Sequence, residues 1–411
     1  MNSKKTIIIR ALKRVGVASI GEVIGRSANL ALPFIVLSHY AADRQTDTFF
    51  FALAIGFFSF GTITNASVNA LITDFVRDEK PRNPLIYLQV CLAISAVTGV
   101  VAFAASNQPW PAPTSIIVGV SICIMALSGL AAAPAIAALN AGHRYVAPGI
   151  TWGLRIFPLL IFWIYSPRGT SGLIELLVGL SIADALRSIV LMRMARSRLS
   201  VTTSHHIRFP RATLYLVSSG MIVGLNPLIS RWIADKGPHG SLSLFDMADR
   251  LYSTTASLAT IGMGSVVMVY LARLQSSENA AAQWRMTLKA SIAWSILWFL
   301  VGLSIWMIFP QLHILLREQA AFALSDIRQT YLGLVFGIPA FVMTITFARR
   351  LLAIGASEKL LLVSLINVLC NTTIGITLYQ IIGTKGLGYA FTIAQYASAI
   401  TMYLFILNAE K

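Results

Sequence analysis

The chain has 411 residues, of which 32 are Lys or Arg and 16 are Asp or Glu, so its formal net charge is +16. Only 12% of the residues are charged and 56% are hydrophobic, whereas a soluble domain carries about 25% charged residues. This composition excludes a soluble globular enzyme, a disordered chain and a nucleic-acid-binding domain. The excess of basic residues therefore needs a membrane explanation.

Twelve apolar segments have about the length, roughly 20 residues, that an α-helix needs to cross a bilayer. They lie at about 15–40, 46–76, 83–106, 114–138, 145–165, 170–193, 209–235, 243–272, 285–309, 322–348, 357–380 and 385–408. The loops between them are short, so no separate soluble domain fits anywhere. The sequence therefore predicts an all-α polytopic membrane protein with about twelve transmembrane helices.

A basic, hydrophilic segment divides the chain near its midpoint. Residues 196–211 are rich in Arg, Ser and Thr and predict a cytoplasmic linker. It would join an N-terminal lobe, 1–195, to a C-terminal lobe, 212–411, with six helices each. Two equal lobes are typical of transporters whose halves rock around a site at their interface. The adjacent His205 and His206 of the linker have no third ligand nearby, so we expect no metal site.

Lys and Arg are distributed unevenly between the two sides of the predicted membrane. With the N-terminus in the cytoplasm, twenty-one of them fall in cytoplasmic segments, six on the opposite side and five within spans. This is the asymmetry that the positive-inside rule describes. It predicts a multi-pass protein of the bacterial cytoplasmic (inner) membrane with both termini cytoplasmic. The basic surface should contact anionic lipid headgroups, and nucleic acid need not be invoked.

Charged residues within the spans are the candidate functional residues, since each costs at least about 2.5–3.5 kcal/mol at a helix centre. Glu22 and Arg26 in the first span are four residues apart, as are Asp246 and Arg250 in the eighth. Each acid therefore shares a helix face with its base and can pair with it. Asp249 lies beside Arg250 as a further charge partner.

Three other intramembrane arginines have weaker local support. Arg187 follows Asp184 at i,i+3 near a helix end, where we expect its side chain to reach the membrane surface. Arg155 and Arg231 have no acid within one helical turn. Arg231 adjoins Trp232, so interfacial anchoring and a functional role are both open for it.

Polar and helix-breaking residues interrupt the first, second and seventh spans. Pro33 and Pro227 should bend their helices, and the second span holds Asp47, Asn65 and Asn69. Together they favour moving helices that line a cavity, with these three polar residues facing it.

Ion coupling remains open between a proton, Na⁺ and the membrane potential. Asn226, Asn367 and Asn371 offer carbonyl oxygens for Na⁺, but no carboxylate joins them, so helix–helix hydrogen bonding is expected instead. Glu22 is the preferred proton carrier, because burial would raise its pKa. Metalloprotease, serine-hydrolase and phosphate-loop motifs do not occur in the sequence, which predicts a protein that is not an enzyme and uses no cofactor.

Two regions resemble the MurJ/MviN family of lipid II flippases. Residues 45–52 are similar to that family's Thr-Asp-Ala-Phe-Phe motif, and 240–243, 248–252 and 262–266 match its eighth-span pattern in order and spacing. The similarity to this family is weaker in the tenth and eleventh spans, at residues 331–334, 349–350 and Asn367.

The resemblance implies the fold of the multidrug/oligosaccharidyl-lipid/polysaccharide (MOP) exporters, in which two lobes form a V around a central cationic cavity. It implies outward flipping of a polyprenyl diphosphate that carries sugars, a precursor of peptidoglycan or another polysaccharide. Arg250 corresponds to a cavity arginine of the family, and Arg26 to one in its first span. With Arg231 they form the predicted substrate-binding set. Membrane lipids and cell-envelope biosynthesis proteins are the expected partners of a monomer.

The chain also departs from that family. Residues 52–60 contain no basic residue, and twelve spans are found where relatives commonly have fourteen. A related lipid-linked saccharide is therefore as good a substrate as lipid II. Two other functions stay open. One is an ion-coupled multidrug exporter, in which the carboxylate of Glu22 or Asp249 would gain and lose the coupling proton. The other is a non-transporting membrane scaffold.

Reporter fusions test the predicted topology. Fusions after Arg211 and after Lys411 should both report a cytoplasmic location, because the charge asymmetry puts these ends on the same side. An external signal at either site would contradict the two-lobe arrangement.

Overall fold

The structure is a computed structural model. It describes residues 25, 27–65, 67–68, 71, 84–107, 110–142, 144, 146–165, 167, 169–196, 211–274, 280–311 and 324–409. These residues are almost entirely helical and include no β-strand. The predicted all-α membrane fold is confirmed. Arg196 and Arg211 are described but the linker between them is not, so the division into two lobes stays a prediction.

The helices follow the predicted spans in chain order. They are α1 (Ser27–His39), α2 (Arg44–Phe57, continued by a π-helix Phe58–Ile63), α3 (Pro84–Ser106), α4 (Ala112–Ala141), α5 (Val146–Ile150, a 3₁₀ segment Thr151–Arg155, then Ile156–Tyr165), α6 (Gly169–Ala195), α7 (Arg211–Asp235), α8 (Ser241–Leu274), α9 (Ala280–Ile308), α10 (Leu324–Val335 and Ile338–Ala353), α11 (Glu358–Ile382) and α12 (Thr384–Ala409).

Eight of these helices are long and apolar enough to cross a membrane, judged by length and composition. They are α2, α3, α4, α5, α9, α10, α11 and α12. Helices α6, α7 and α8 are not among them, and these three hold buried charged side chains. Large apolar side chains such as Val100, Ile161 and Leu369 are exposed on the outer faces, as lipid contact requires.

Three helices are interrupted where the sequence predicts continuous spans. Helix α2 changes to a π-helix at Phe58, α5 contains a 3₁₀ segment, and α10 breaks at Phe336 and Gly337. The break in α10 precedes Pro339, whose ring is tolerated in the first turn of the new segment. Helix α7, in contrast, stays helical through Pro227.

Small residues set the closest helix contacts. A Cβ on Gly99 of α3 would lie 2.7 Å from the carbonyl oxygen of Gly119 on α4, and the reverse distance would be 2.9 Å. Glycine at both positions therefore lets the two backbones touch, the usual device of membrane helix packing. Helix α4 also packs on α6, while α11 packs on α7 and α12.

Helix α2 joins the two halves of the chain, because it contacts α7 and α8 as well as its own neighbours. The buried Asp47, near the start of α2, caps the start of α8. Its Oδ2 accepts from the backbone N–H of Gly240 at 2.6 Å, and its Oδ1 accepts from the N–H and Oγ of Ser243 at 2.8 and 2.6 Å. Gly240 has φ +92°, and a Cβ there would collide with the carbonyl of Ala42.

The Asp47 contact predicts a specific loss of stability. In Asp47→Ala the donors of Gly240 and Ser243 lose their acceptor, and each unpaired buried donor costs about 1–3 kcal/mol. The midpoint of thermal unfolding in detergent should fall clearly. Asp235→Asn, a change of an exposed carboxylate at the end of α7, is the matched control and should unfold like the wild type. Equal unfolding midpoints for the two variants would contradict the capping role.

Candidate functional site

Four charged residues of α7 and α8 meet in one buried cluster. The Asp246 carboxylate accepts from two arginines: Oδ1 from Arg231 Nε and Nη2 at 2.8 and 2.6 Å, and Oδ2 from Arg250 Nε. Asp249 Oδ2 accepts from Arg231 Nη2 at 2.7 Å. The predicted i,i+4 pair of Asp246 and Arg250 is therefore present, and Arg231 joins it. Two cations and two anions make this cluster formally neutral.

Arg231 does not anchor at an interface. Its side chain is only 7% exposed, while the neighbouring Trp232 is 49% exposed. Besides its bonds to Asp246 and Asp249, Arg231 Nη1 donates to the carbonyl of Pro227 at 3.1 Å. Most of its donors are thus used within the protein, which fits a structural clamp between α7 and α8 better than a ligand contact.

Arg250 is bonded less completely. It donates through Nε to Asp246, whereas its buried Nη2 has no hydrogen-bond partner among the described residues. Its guanidinium carbon lies over the rings of Phe57 and Phe50 of α2, 5.0 and 5.8 Å from their centroids. Arg250 lies about 14 Å along α8 from the start of that helix at Ser241. A buried N–H donor without a partner is available to a ligand.

A second buried ion pair lies in the N-terminal half. Arg155 of α5 donates through Nε and Nη2 to the two carboxylate oxygens of Asp184 on α6 at 2.7 and 2.5 Å, and through Nη1 to Asn29 of α1 at 2.7 Å. The two-pronged geometry with Arg155, a residue of another helix, satisfies both carboxylate oxygens of Asp184 at once.

Arg187 does not extend to the membrane surface either. It is 3% exposed, its guanidinium carbon lies 4.1 Å from the ring centroid of Trp152, and Nη2 donates to the carbonyl of Pro148 at 3.4 Å. The ring of Trp152 also lies 4.9 Å from the guanidinium carbon of Arg155. The Arg187 side chain is therefore buried against α5 instead of reaching the membrane surface.

The remaining predicted site residues have mixed outcomes. Glu22, Arg26 and Asn69 lie outside the described residues. Asn65 is exposed. Asp47, predicted to face a cavity, instead caps α8 through the contacts given above.

The three asparagines of the C-terminal half connect helices, as predicted. Asn226 of α7 donates to Asn367 of α11, which in turn donates to the carbonyl of Ala394 at 3.0 Å and to Ser398 Oγ at 2.6 Å, both on α12. Asn371 donates to Ser230 Oγ at 3.3 Å. In the described ranges, no group of three His, Cys, Asp or Glu residues could hold a metal ion.

An apolar cavity is lined by residues of α8 that follow Arg250 in the chain. It measures about 260 Å³ and lies between α1, α8 and α9. On α8 the cavity is lined by Leu251, Thr254 and Leu258, which follow Arg250 in the chain. The other two helices contribute Leu30 and Trp298. The α8 wall of this apolar cavity thus begins one residue after Arg250 in the chain.

Several known structures share the fold of this chain. A structure of the lipid II flippase MurJ in an inward closed conformation matches with a TM-score of 0.73, covering 95% of this chain and 87% of that one at 15% identity. A MATE protein in complex with MaL6 gives 0.69, covering 97% and 96% at 13% identity. An inward-facing multidrug resistance MATE transporter gives 0.68, covering 97% and 98% at 15% identity. The chain therefore has the fold of the MOP superfamily of membrane transporters.

The sequence comparison identifies the family. The family model for the lipid II flippase MurJ matches residues 85–411, so the chain belongs to the MurJ family. The predicted membership is confirmed, and it makes the chain a multi-pass inner-membrane protein whose relatives are transporters. A probable lipid II flippase MurJ of Rhizobium tropici is 22% identical over 213 residues, 48% of this chain and 39% of that relative. The match thus spans well under half of that relative's length.

The buried pair in the N-terminal half predicts strong coupling between its two members. Arg155→Met leaves the Asp184 carboxylate buried without its cation, and removal of one partner of a buried pair costs about 3–5 kcal/mol. Asp184→Asn should destabilise the protein similarly. The double variant should lose much less than the sum of the two, as measured by thermal unfolding in detergent.

An exposed pair supplies the control for that experiment. Lys385 Nζ lies 3.0 Å from Asp326 Oδ1, and the two side chains are 39% and 51% exposed. Exposed pairs contribute about 0–1 kcal/mol, so Lys385→Met should barely change the unfolding midpoint. A loss as large as that of Arg155→Met would show that burial is not what makes the Arg155 pair important.

Proposed function

We propose that the protein is a flippase that moves a polyprenyl-diphosphate-linked saccharide across the inner membrane by alternating access. The observation that carries this proposal is the buried Arg250 guanidinium, whose Nη2 lacks a partner among the described residues. A guanidinium binds phosphate oxygens through paired N–H donors. Low local dielectric around this side chain strengthens the attraction to an anion.

The surroundings of Arg250 support an amphiphilic ligand. The charged cluster of α7 and α8 would take the diphosphate, and the apolar cavity that begins at Leu251 would take the first part of the hydrocarbon chain. A small soluble anion would have no use for that cavity. The saccharide itself, and whether it is that of lipid II or of a related precursor, are left open by this arrangement.

The exporter alternative needs a buried carboxylate that is free to bind a cation or a proton. In the part of the chain that the structure describes, Asp184, Asp246 and Asp249 each accept from an arginine, and Asp47 accepts from the start of α8. Each of these buried or half-buried carboxylates is therefore already engaged. This pattern favours an anionic substrate, although Glu22 remains the candidate for proton coupling.

The free donor of Arg250 is an argument against the scaffold alternative. A protein that only packs helices gains nothing from a buried N–H group without an acceptor, since such a group costs about 1–3 kcal/mol. A ligand that supplies the acceptor gives this arrangement a use.

Transport by purified protein tests the proposal. In proteoliposomes that contain a labelled undecaprenyl-diphosphate saccharide, the wild type should move label between leaflets, and Arg250→Gln should abolish this movement while it still inserts and folds. Arg250→Lys should restore only part of the rate, because an ammonium cannot reproduce the planar fork of donors. Failure of the wild type to move lipid II or any related diphosphate would overturn the proposal.

A charge-balanced variant separates binding from charge compensation. Arg250→Gln leaves the cluster with an excess negative charge, and the double variant Arg250→Gln/Asp249→Asn removes that excess while Arg231 keeps its bonds to Asp246. If Arg250 binds the diphosphate, the double variant stays inactive. Recovery of transport would show that Arg250 serves only to balance the carboxylates.

A further inference from the structure

The ring of Phe57 lies between cations from the two halves of the chain. The guanidinium carbon of Arg155 on α5 is 4.8 Å from its centroid, and that of Arg250 on α8 is 5.0 Å from it. The two guanidinium carbons are therefore at most about 10 Å apart, with one aromatic ring in contact with both. Residues 52–60 of α2 contain no basic residue, so α2 contributes a ring rather than a charge at this point.

An irregularity of the backbone follows Phe57 directly. Phe57 is the last residue of the α-helical part of α2, and Phe58–Ile63 form a π-helix. A π-turn changes which residues share a helix face, and such turns occur frequently at functional sites. Phe60, within the π-helix, also contacts Arg155, at 4.9 Å. Two rings, Phe57 before the transition and Phe60 after it, thus contact Arg155, and Phe57 also contacts Arg250.

The two cations differ in what else holds them. Arg155 is fixed by its two-pronged bond to Asp184 and by Asn29. Arg250 has its Nε bond to Asp246 and a buried Nη2 without a partner among the described residues. A ring face attracts a cation through its quadrupole and consumes no N–H donor. The contact with Phe57 can therefore orient Arg250 while Nη2 stays available.

We propose that Phe57 is a positioning residue. Its ring holds the Arg250 guanidinium so that Nη2 meets the diphosphate of the substrate. Because the same ring contacts Arg155, the position of Arg250 is fixed relative to the Arg155–Asp184 pair. This inference rests on the proposed function, in which Arg250 binds the phosphate. It makes Phe57, which has no hydrogen-bonding group on its side chain, a determinant of anion affinity.

Binding of a short probe lipid tests this role. The purified full-length protein in detergent is titrated with farnesyl diphosphate by calorimetry. Phe57→Leu should weaken binding about 3- to 30-fold, the range expected for loss of a partly desolvated cation–π contact. Phe57→Tyr keeps the ring and should bind like the wild type. Phe57→Met, with an unbranched side chain that fills gaps readily, replaces Phe57→Leu if that variant does not fold.

The matched control is the same substitution about two helical turns earlier on α2. Phe49 is fully buried and stacks edge-on with Phe50 at 5.3 Å, and no cation lies over its ring among the described residues. Phe49→Leu should lower the unfolding midpoint but leave the affinity for farnesyl diphosphate unchanged. An equal loss of affinity in Phe49→Leu and Phe57→Leu would overturn the proposal, because a general packing defect would then explain both.

A double-mutant cycle distinguishes failure of this inference from failure of the proposed function. In an Arg250→Gln background, Phe57→Leu should cause no further loss of affinity, since the side chain that the ring positions is gone. Additive losses, or unchanged affinity in Phe57→Leu alone, would overturn the role of Phe57 only. Wild-type affinity in Arg250→Gln itself, or a wild type that does not bind the probe, would overturn the proposed function and this inference with it.

Discussion

The Asp246 carboxylate accepts hydrogen bonds from Arg231 on α7 and from Arg250 on α8. A charge within a membrane-spanning bundle has little water to solvate it, so it must be paired by protein groups. Because of this requirement, the ion pairs hold α7 against α8, and most of the N–H donors of Arg231 are used within the protein. It also leaves Arg250 as the one cation of this cluster with a buried donor to spare among the described residues. The candidate site is thus a consequence of how the cluster is neutralised.

Helix α2 connects the two halves by two different interactions. At its start, the Asp47 carboxylate meets the N-terminus of α8, where unpaired backbone N–H groups and the helix dipole favour a negative charge. Further along, the Phe57 ring meets guanidinium groups from α5 and α8. Asp47 precedes Phe57 on α2, and their partners Gly240 and Arg250 follow in the same order at the start of α8 and along it. These two helices therefore run parallel. A movement of one half relative to the other must therefore change either the cap or the ring contacts.

How far the sequence predicts the site depends on whether a contact is local. Asp246 and Arg250 are one helical turn apart, and helix geometry alone predicts their pairing. The partners of Arg231 and Arg155 lie on other helices, and which helices pack together is not readable from spacing. The π-helix of α2 has no sequence signature comparable to a proline, so it could not be predicted, and the cations that Phe57 contacts lie on other helices. The helical fold follows from hydropathy, because a bilayer allows few alternatives.

The unequal bonding of the two arginines has a consequence for ligand exchange. When an anion binds, a guanidinium must turn some of its donors toward it, and any carboxylate released in the process would be left unpaired in a low dielectric. Arg231 bonds to both Asp246 and Asp249, so each carboxylate keeps a hydrogen-bond donor when Arg250 meets an anion through Nη2. The arrangement therefore lowers the cost of turning Arg250 toward an anion, because neither carboxylate is left without a partner.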